Sequence, residues 1–171
     1  MFGIKKINIS KAKGGNKEAF IELIEENLAS IYRVAKGILS AEEDIEDAIQ
    51  NTILLAFKNI KTLKKEEYFK TWLIKILINE SNKIYNFNKK FVNFEKIQEH
   101  CVNDNYQDID LKRAVDSLNE ELRLTIVLFY FEDLTISEIA NILNVPEGTV
   151  KSRLSRAKSK IAYYLGEREV L

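Results

Sequence analysis

The chain has 171 residues, 46% hydrophobic and 30% charged, a size that suits one domain or two small ones. Its 26 Lys and Arg balance 26 Asp and Glu, which excludes a general polycation; any nucleic-acid surface must come from local segregation of charge. Six glycines and one proline, set against many periodic apolar residues, predict an all-α protein.

In chain order, the opening "MFGIKKINISKAKGGNK" has no apolar run of signal-peptide length, and "KAKGGNK" reads as a mobile lead-in. A first amphipathic helix is expected from Asn16, where Phe20, Leu23, Ile24, Ile31, Tyr32, Ile38 and Leu39 recur at helical spacing. Ser40 with Glu43 predicts a capping box and a second helix over 41–60, apolar through Ile45, Ile49, Ile53, Leu54 and Phe57. The connection "KTLKKEEY" leads to a third helix over 67–87. Its core face is read as Phe69, Trp72, Leu73, Ile76 and Leu77, and its polar face as Lys75, Asn79, Asn82 and Lys83.

The period then breaks. "FEKIQEHCVNDNYQDID" over 94–110 carries Glu95, Glu99, Asp104, Asp108 and Asp110 against Lys96, and reads as an extended acidic, flexible linker between helical domains at 1–93 and 111–171. The second domain begins with "LKRAVDSL", a short helix. "NEELRLTIVLFYFEDL" reads as one longer helix, apolar through Leu122, Ile126, Phe129 and Tyr130. Thr135 with Glu138 is a second capping box, opening "ISEIANIL"; the tight connection "NVPE" follows, then a last helix to about residue 165. A short helix, a tight turn and a longer cationic helix make a helix-turn-helix.

In that last helix Val150, Leu154, Ala157 and Ile161 form one stripe for packing, leaving Lys151, Ser152, Arg153, Ser155, Arg156, Lys158 and Lys160 outside it. Pro146 suits a first helical turn, and Gly148 would admit another backbone. Entering a major groove by its N-terminus, such a helix could present Lys151 and Ser152 to base edges and Arg156 to guanine or phosphate; Arg153 and Lys158 look like phosphate contacts. The competing reading is a solvated charged face, and the capped helix and turn in front tip the balance toward DNA.

The segment 118–161, and "EIANILNVPEGTVKSRLSRAK" within it, resembles the −35-reading domain of bacterial sigma factors. "DIEDAIQNTILLAF" over 44–57 resembles the part of sigma domain 2 that docks on the β′ clamp helices of RNA polymerase. It keeps Asp44, Glu46, Asp47 and Gln50 but has Ile49 for Val and Asn51 for Glu. "FKTWLIKILINESNKI" over 69–84 resembles the adjoining promoter-melting helix. Two domains on a short linker, with no domain 3, is the layout of the extracytoplasmic-function type. The resemblance implies a polymerase-docking set of Asp44, Asp47, Gln50, Asn51 and Leu54. It implies a −10-binding and melting set of Lys61, Lys64, Lys65, Tyr68, Lys75, Asn79, Asn82 and Lys83. For the −35 element it implies Thr149, Lys151, Ser152, Arg153, Ser155, Arg156 and Lys158. On the residues alone, the acids of 44–51 would equally suit an ordinary helix N-terminus, and core packing is favoured over base stacking for Trp72.

The partners implied are core RNA polymerase (β′ clamp helices and β flap), promoter DNA and an anti-sigma factor that silences the chain until an envelope signal arrives. The alternative is a helix-turn-helix regulator that binds operators without polymerase. No phosphate loop, nucleophile with a base, or ligand cluster points to an enzyme, a cofactor or a metal; His100 and Cys101 stand together without a second His or Cys nearby. A single cysteine allows no internal disulfide, and no stretch approaches the roughly 18–20 apolar residues of a membrane span, so the expected location is the cytoplasm.

Overall fold

The computed structural model describes residues 2–91 and 106–166, and all regular structure among them is helical. The chain divides into two compact units, Met1–Asn93 and Phe94–Leu171. Most of the expected linker, with His100 and Cys101, lies outside the described residues.

The first unit holds α1 (Phe2–Lys13), α2 (Lys17–Lys36), α3 (Glu42–Asn59), two 3₁₀ turns (Ile60–Thr62 and Glu66–Tyr68) and α4 (Phe69–Phe91). Helix α1 is a departure from expectation, since no helix was read before Asn16 and its last three residues fall in the stretch read as a mobile lead-in. Ile9 and Ala12 are buried, and the helix packs on α2. It ends in a Schellman motif: the Gly15 N–H donates to the Ala12 carbonyl and the Asn16 N–H to that of Lys11. Gly15 has φ +97°, a conformation that glycine adopts without strain. Asn16 then caps α2, its Oδ1 accepting from the Ala19 N–H at 2.7 Å.

The expected capping box at Ser40 is not formed. Helix α3 has Ala41 as its N-cap, without a side-chain cap bond. Ile38 and Leu39 are both buried, and the N-cap falls one residue past Ser40, on a side chain without an acceptor. Glu42, Glu43 and Asp44 supply negative charge at the helix N-terminus instead. Helix α4 also differs from its sequence reading. Phe69, Leu73, Ile74, Leu77 and Ile78 are buried, whereas Trp72 and Ile76 are only half-buried. The cause is that α4 packs against both α2 and α3, so it buries two adjoining stripes where one was read.

The second unit holds α5 (Tyr106–Asp116), α6 (Glu120–Ile126) running into a π turn (Val127–Phe131), α7 (Ile136–Leu143) and α8 (Glu147–Gly166). Helix α5 begins inside the segment read as linker. The expected long helix over 119–134 is interrupted: the Glu132 N–H reaches back five residues to the Val127 carbonyl at 3.1 Å, and Asp133 has φ 54°. Leu122 and the run Leu124–Leu128 are all buried, while Tyr130 and Phe131 are exposed. The Thr135–Glu138 capping box is complete. Asn144 ends α7 in the left-handed region at φ 54°, a conformation that asparagine tolerates, and the Val145 N–H returns to the Ala140 carbonyl. Helices α5, α6 and α7 all pack on α8.

Candidate nucleic-acid and protein interfaces

On α8, Val150, Leu154 and Ala157 are buried and Ile161 is half-buried, so the stripe read from the sequence is the packed face. Lys151, Ser152, Ser155, Arg156 and Lys158 are exposed, and Thr149 is half-buried. Pro146 precedes the helix and accepts from the Thr149 N–H at 2.9 Å, closing the first turn. A side chain at Gly148 would meet nothing within 4 Å, so no backbone of this unit requires a glycine there. Arg153 departs from its sequence reading. Its side chain is only 14% exposed and its guanidinium lies 2.9 Å from the Glu121 carboxylate of α6. It flanks the packed stripe and ties α8 to α6. Arg156 remains on the open face, its Nε at 3.4 Å from the Ser152 carbonyl. Lys158 leans back over the Tyr130 ring at 5.5 Å, a cation–π contact that holds the end of its long stem.

In the first unit the loop between α3 and α4 stands on buried anchors, Ile60, Leu63 and Phe69. Lys61, Lys64, Lys65 and Tyr68 project from it and are exposed. The Lys65 ammonium lies 5.7 Å from the centre of the Tyr68 ring and 3.9 Å from the Glu67 carboxylate. On α4, Lys75, Asn79 and Lys83 are exposed and Asn82 is half-buried. Lys83 donates to Glu80 at 2.6 Å. Half-buried Trp72 falls at i−3 and i−7 from Lys75 and Asn79, and so borders this polar face instead of filling the core. Sequence reading ended the face too early. Exposed Asn86 and Lys90 continue it at the same three- and four-residue spacing. From Lys75 to Lys90 it runs about 22 Å at 1.5 Å per residue.

Asp47, Gln50, Asn51 and Leu54 are exposed along one face of α3, and Leu54 is 57% exposed. Polar groups around one uncovered leucine have the make-up of a protein-binding edge. Asp44 is set apart from them. It is half-buried and accepts from the Asn88 side chain of α4 at 2.7 Å, which links α3 to α4. Beside this face an open groove of about 650 Å³ runs between α2 and α3, lined by Leu28, Ala29, Tyr32 and Ile49 with Glu25, Glu42, Glu46 and Gln50. The Tyr32 hydroxyl donates to Glu42 at 2.9 Å. That hydrogen bond, then burial, then the charges of Glu42 and Glu46 push the Tyr32 phenol above its ordinary value. The groove was missed in the sequence, although Ile21 and Leu28, both exposed on α2, sit seven residues apart on one side of that helix.

Two families of known proteins match these two units: Sigma-70 region 2 over residues 23–89 and Sigma-70, region 4 over residues 108–161. The RNA polymerase sigma factor SigV of Bacillus subtilis (strain 168) is 32% identical over 151 residues, covering 86% of this chain and 91% of that protein. The chain belongs to the sigma-70 family of RNA polymerase sigma factors. A second relative from the same organism, the ECF RNA polymerase sigma factor SigW, is 26% identical across 92% of this chain and 94% of its own length. Among solved structures, the Bartonella quintana sigma factor RpoE, determined with the anti-sigma factor NepR, superposes with a TM-score of 0.72. It is 25% identical over 86% of this chain and 96% of that one. The sigma factor is thus of the extracytoplasmic-function type, and the match to region 2 sets aside a helix-turn-helix regulator lacking that half. Helix α1 precedes the matched residues of region 2. Among the described residues no group of three His, Cys, Asp or Glu is placed to hold a metal, and no helix is long and apolar enough to cross a membrane.

Proposed function

We propose that this sigma factor brings core RNA polymerase to promoters with −35 and −10 elements and uses binding free energy to open the −10 region, performing no covalent chemistry itself. The observation that carries the reading is that one chain matches both region 2 and region 4, and that both matched segments keep a largely exposed polar helix face. Asp47, Gln50, Asn51 and Leu54 dock on the β′ clamp helices, with Asp44 holding their helix in place. The groove between α2 and α3 adjoins that surface. Lys61, Lys64, Lys65 and Tyr68 hold the extruded −10 base, and Lys75, Asn79, Asn82 and Lys83 follow the separated strand. Cations along a backbone with an exposed aromatic ring beside them are what capture of unstacked bases needs.

In region 4, Thr149, Lys151, Ser152, Ser155 and Arg156 meet the −35 duplex, Lys158 lies at the edge of that contact, and the rest of the unit meets the β flap. Arg153 contributes by fixing α8 on α6. The Bartonella quintana relative was solved with an anti-sigma factor, and a partner of that kind, answering an envelope signal, would hold this chain silent in the cytoplasm.

The test is a gel shift on one promoter fragment. The chain alone is expected to shift it weakly, and the chain with core enzyme strongly and in a salt-sensitive way. Tight, specific binding by the chain alone, unaffected by core enzyme, would favour an operator-binding regulator instead.

A further inference from the structure

The −10 loop is held from below by a helix that the region 2 match does not include. Helix α1 packs against both 3₁₀ turns of the 60–68 loop. Its last residue, Lys13, donates from Nζ to the Leu63 carbonyl at 2.8 Å, across 50 residues of sequence. Leu63 closes the first 3₁₀ turn, its own N–H bonded to the Ile60 carbonyl, and its side chain is buried. The carbonyls at the end of a helical turn lack partners along the chain and carry partial negative charge. Lys13 is the last residue of α1, so the helix carries its ammonium to that turn. Two further features fix where it stands. The Schellman turn at Gly14 and Gly15 sets the exit of α1, and the Asn8 side chain donates to Glu22 of α2 at 2.8 Å. Lys64 and Lys65 follow Leu63 directly, Tyr68 closes the second 3₁₀ turn, and all three are exposed.

We propose that α1 is a brace for the −10 loop and that Lys13 is a positioning residue for base recognition, acting through the Leu63 carbonyl without touching DNA. This rests on the sigma-factor reading above. A flexible loop would lose more conformational freedom on capturing a base; a loop already pinned at Leu63 loses less, and it presents Tyr68 and the lysines in one arrangement. The brace therefore sharpens discrimination between −10 sequences more than it strengthens binding to polymerase.

The experiment compares the full chain with its Lys13→Met and Lys13→Arg variants. Methionine keeps most of the aliphatic stem and removes the donor; arginine restores a cationic donor. Backbone amide exchange over 60–68 in the free protein is read first, then core affinity and run-off transcription from a promoter and from single-base −10 variants of it. Lys13→Met is expected to exchange faster by about tenfold at the loop, the factor that a part-buried charge-assisted hydrogen bond is worth. Its core affinity should stay within about twofold, as for sites without shared partners. Its preference for the correct −10 base should fall severalfold, and Lys13→Arg should recover most of it. Wild-type discrimination in Lys13→Met, or a loss of core affinity as large as the loss of transcription, would overturn the proposal. A wild-type chain that fails to direct transcription would overturn the sigma-factor reading itself. The exchange comparison would then decide the brace on its own, unchanged loop exchange in Lys13→Met refuting it.

Discussion

Arg153 and Arg156 are one turn apart on α8 and have different work. Arg153 is mostly covered and paired with Glu121, so Arg153→Ala removes a charge-assisted contact together with stem packing. Because Glu121 is itself 64% exposed, the expected cost is modest, about 1 kcal/mol in denaturant unfolding of the second unit. Arg156→Ala should leave that midpoint unchanged and instead weaken −35 binding by the holoenzyme, by about 1–3 kcal/mol if it reads a base. If it holds a phosphate, the salt dependence should flatten by about one contact instead. Equal loss of stability in the two variants would contradict this division. Local pattern could not show it, since Glu121 lies on another helix, 32 positions away in sequence. Tyr32 offers a second residue-level test. Its neutral phenol donates to Glu42, while its ionised form is repelled by Glu42 and Glu46. The stabilisation is therefore fully present below the ordinary tyrosine range and is lost as pH rises through the raised value. A phenolate absorbance titration should show one late tyrosine that returns toward the ordinary range in Glu42→Gln; no change on that substitution would refute the pairing.

At the scale of elements, the helices with a single buried stripe were legible and those with unusual surroundings were not. Helices α7 and α8 followed from the Thr135–Glu138 box, the tight turn and the stripe through Val150 and Leu154. Thr135→Ala should cost about 1 kcal/mol in the unfolding midpoint; an unchanged midpoint would mean that the cap bonds do not stabilise α7. Helix α1 was not legible, because only Ile9 and Ala12 of residues 9–13 are buried and an alanine gives little signal. Its two closing glycines read as slack, although they build the turn that aims Lys13. Gly15→Ala should destabilise the first unit by about 1 kcal/mol, since φ +97° is strained for any residue with a Cβ. The π turn was hidden for another reason. The run from Leu124 to Leu128 is buried throughout, Thr125 included, and shows no period, so nothing in it marks where the helix widens. The Ser40 box failed because the N-cap position falls one residue later, on Ala41, whose side chain has no acceptor.

At the scale of the molecule, the family and the two-part layout were readable because region 2 and region 4 each carry their own motif. The docking, melting and −35 sets were read on α3, on the loop with α4, and on α8, and nearly all of these side chains are exposed there. Asp44, Asn82, Thr149 and Arg153 are half-buried instead, and Asp44 and Arg153 are drawn into contacts with a neighbouring helix. Promoter-specific transcription by reconstituted enzyme bears most directly on the central claim. Purified core polymerase, with and without this chain, should be run on fragments of the source genome. The account predicts new run-off transcripts that start downstream of paired −35 and −10 elements. They should disappear when Leu54→Asp and Asp47→Lys remove the docking face, while the chain's own unfolding midpoint stays put, since both residues are exposed. Transcripts unchanged by the wild-type chain, or equally supported by the double variant, would contradict it.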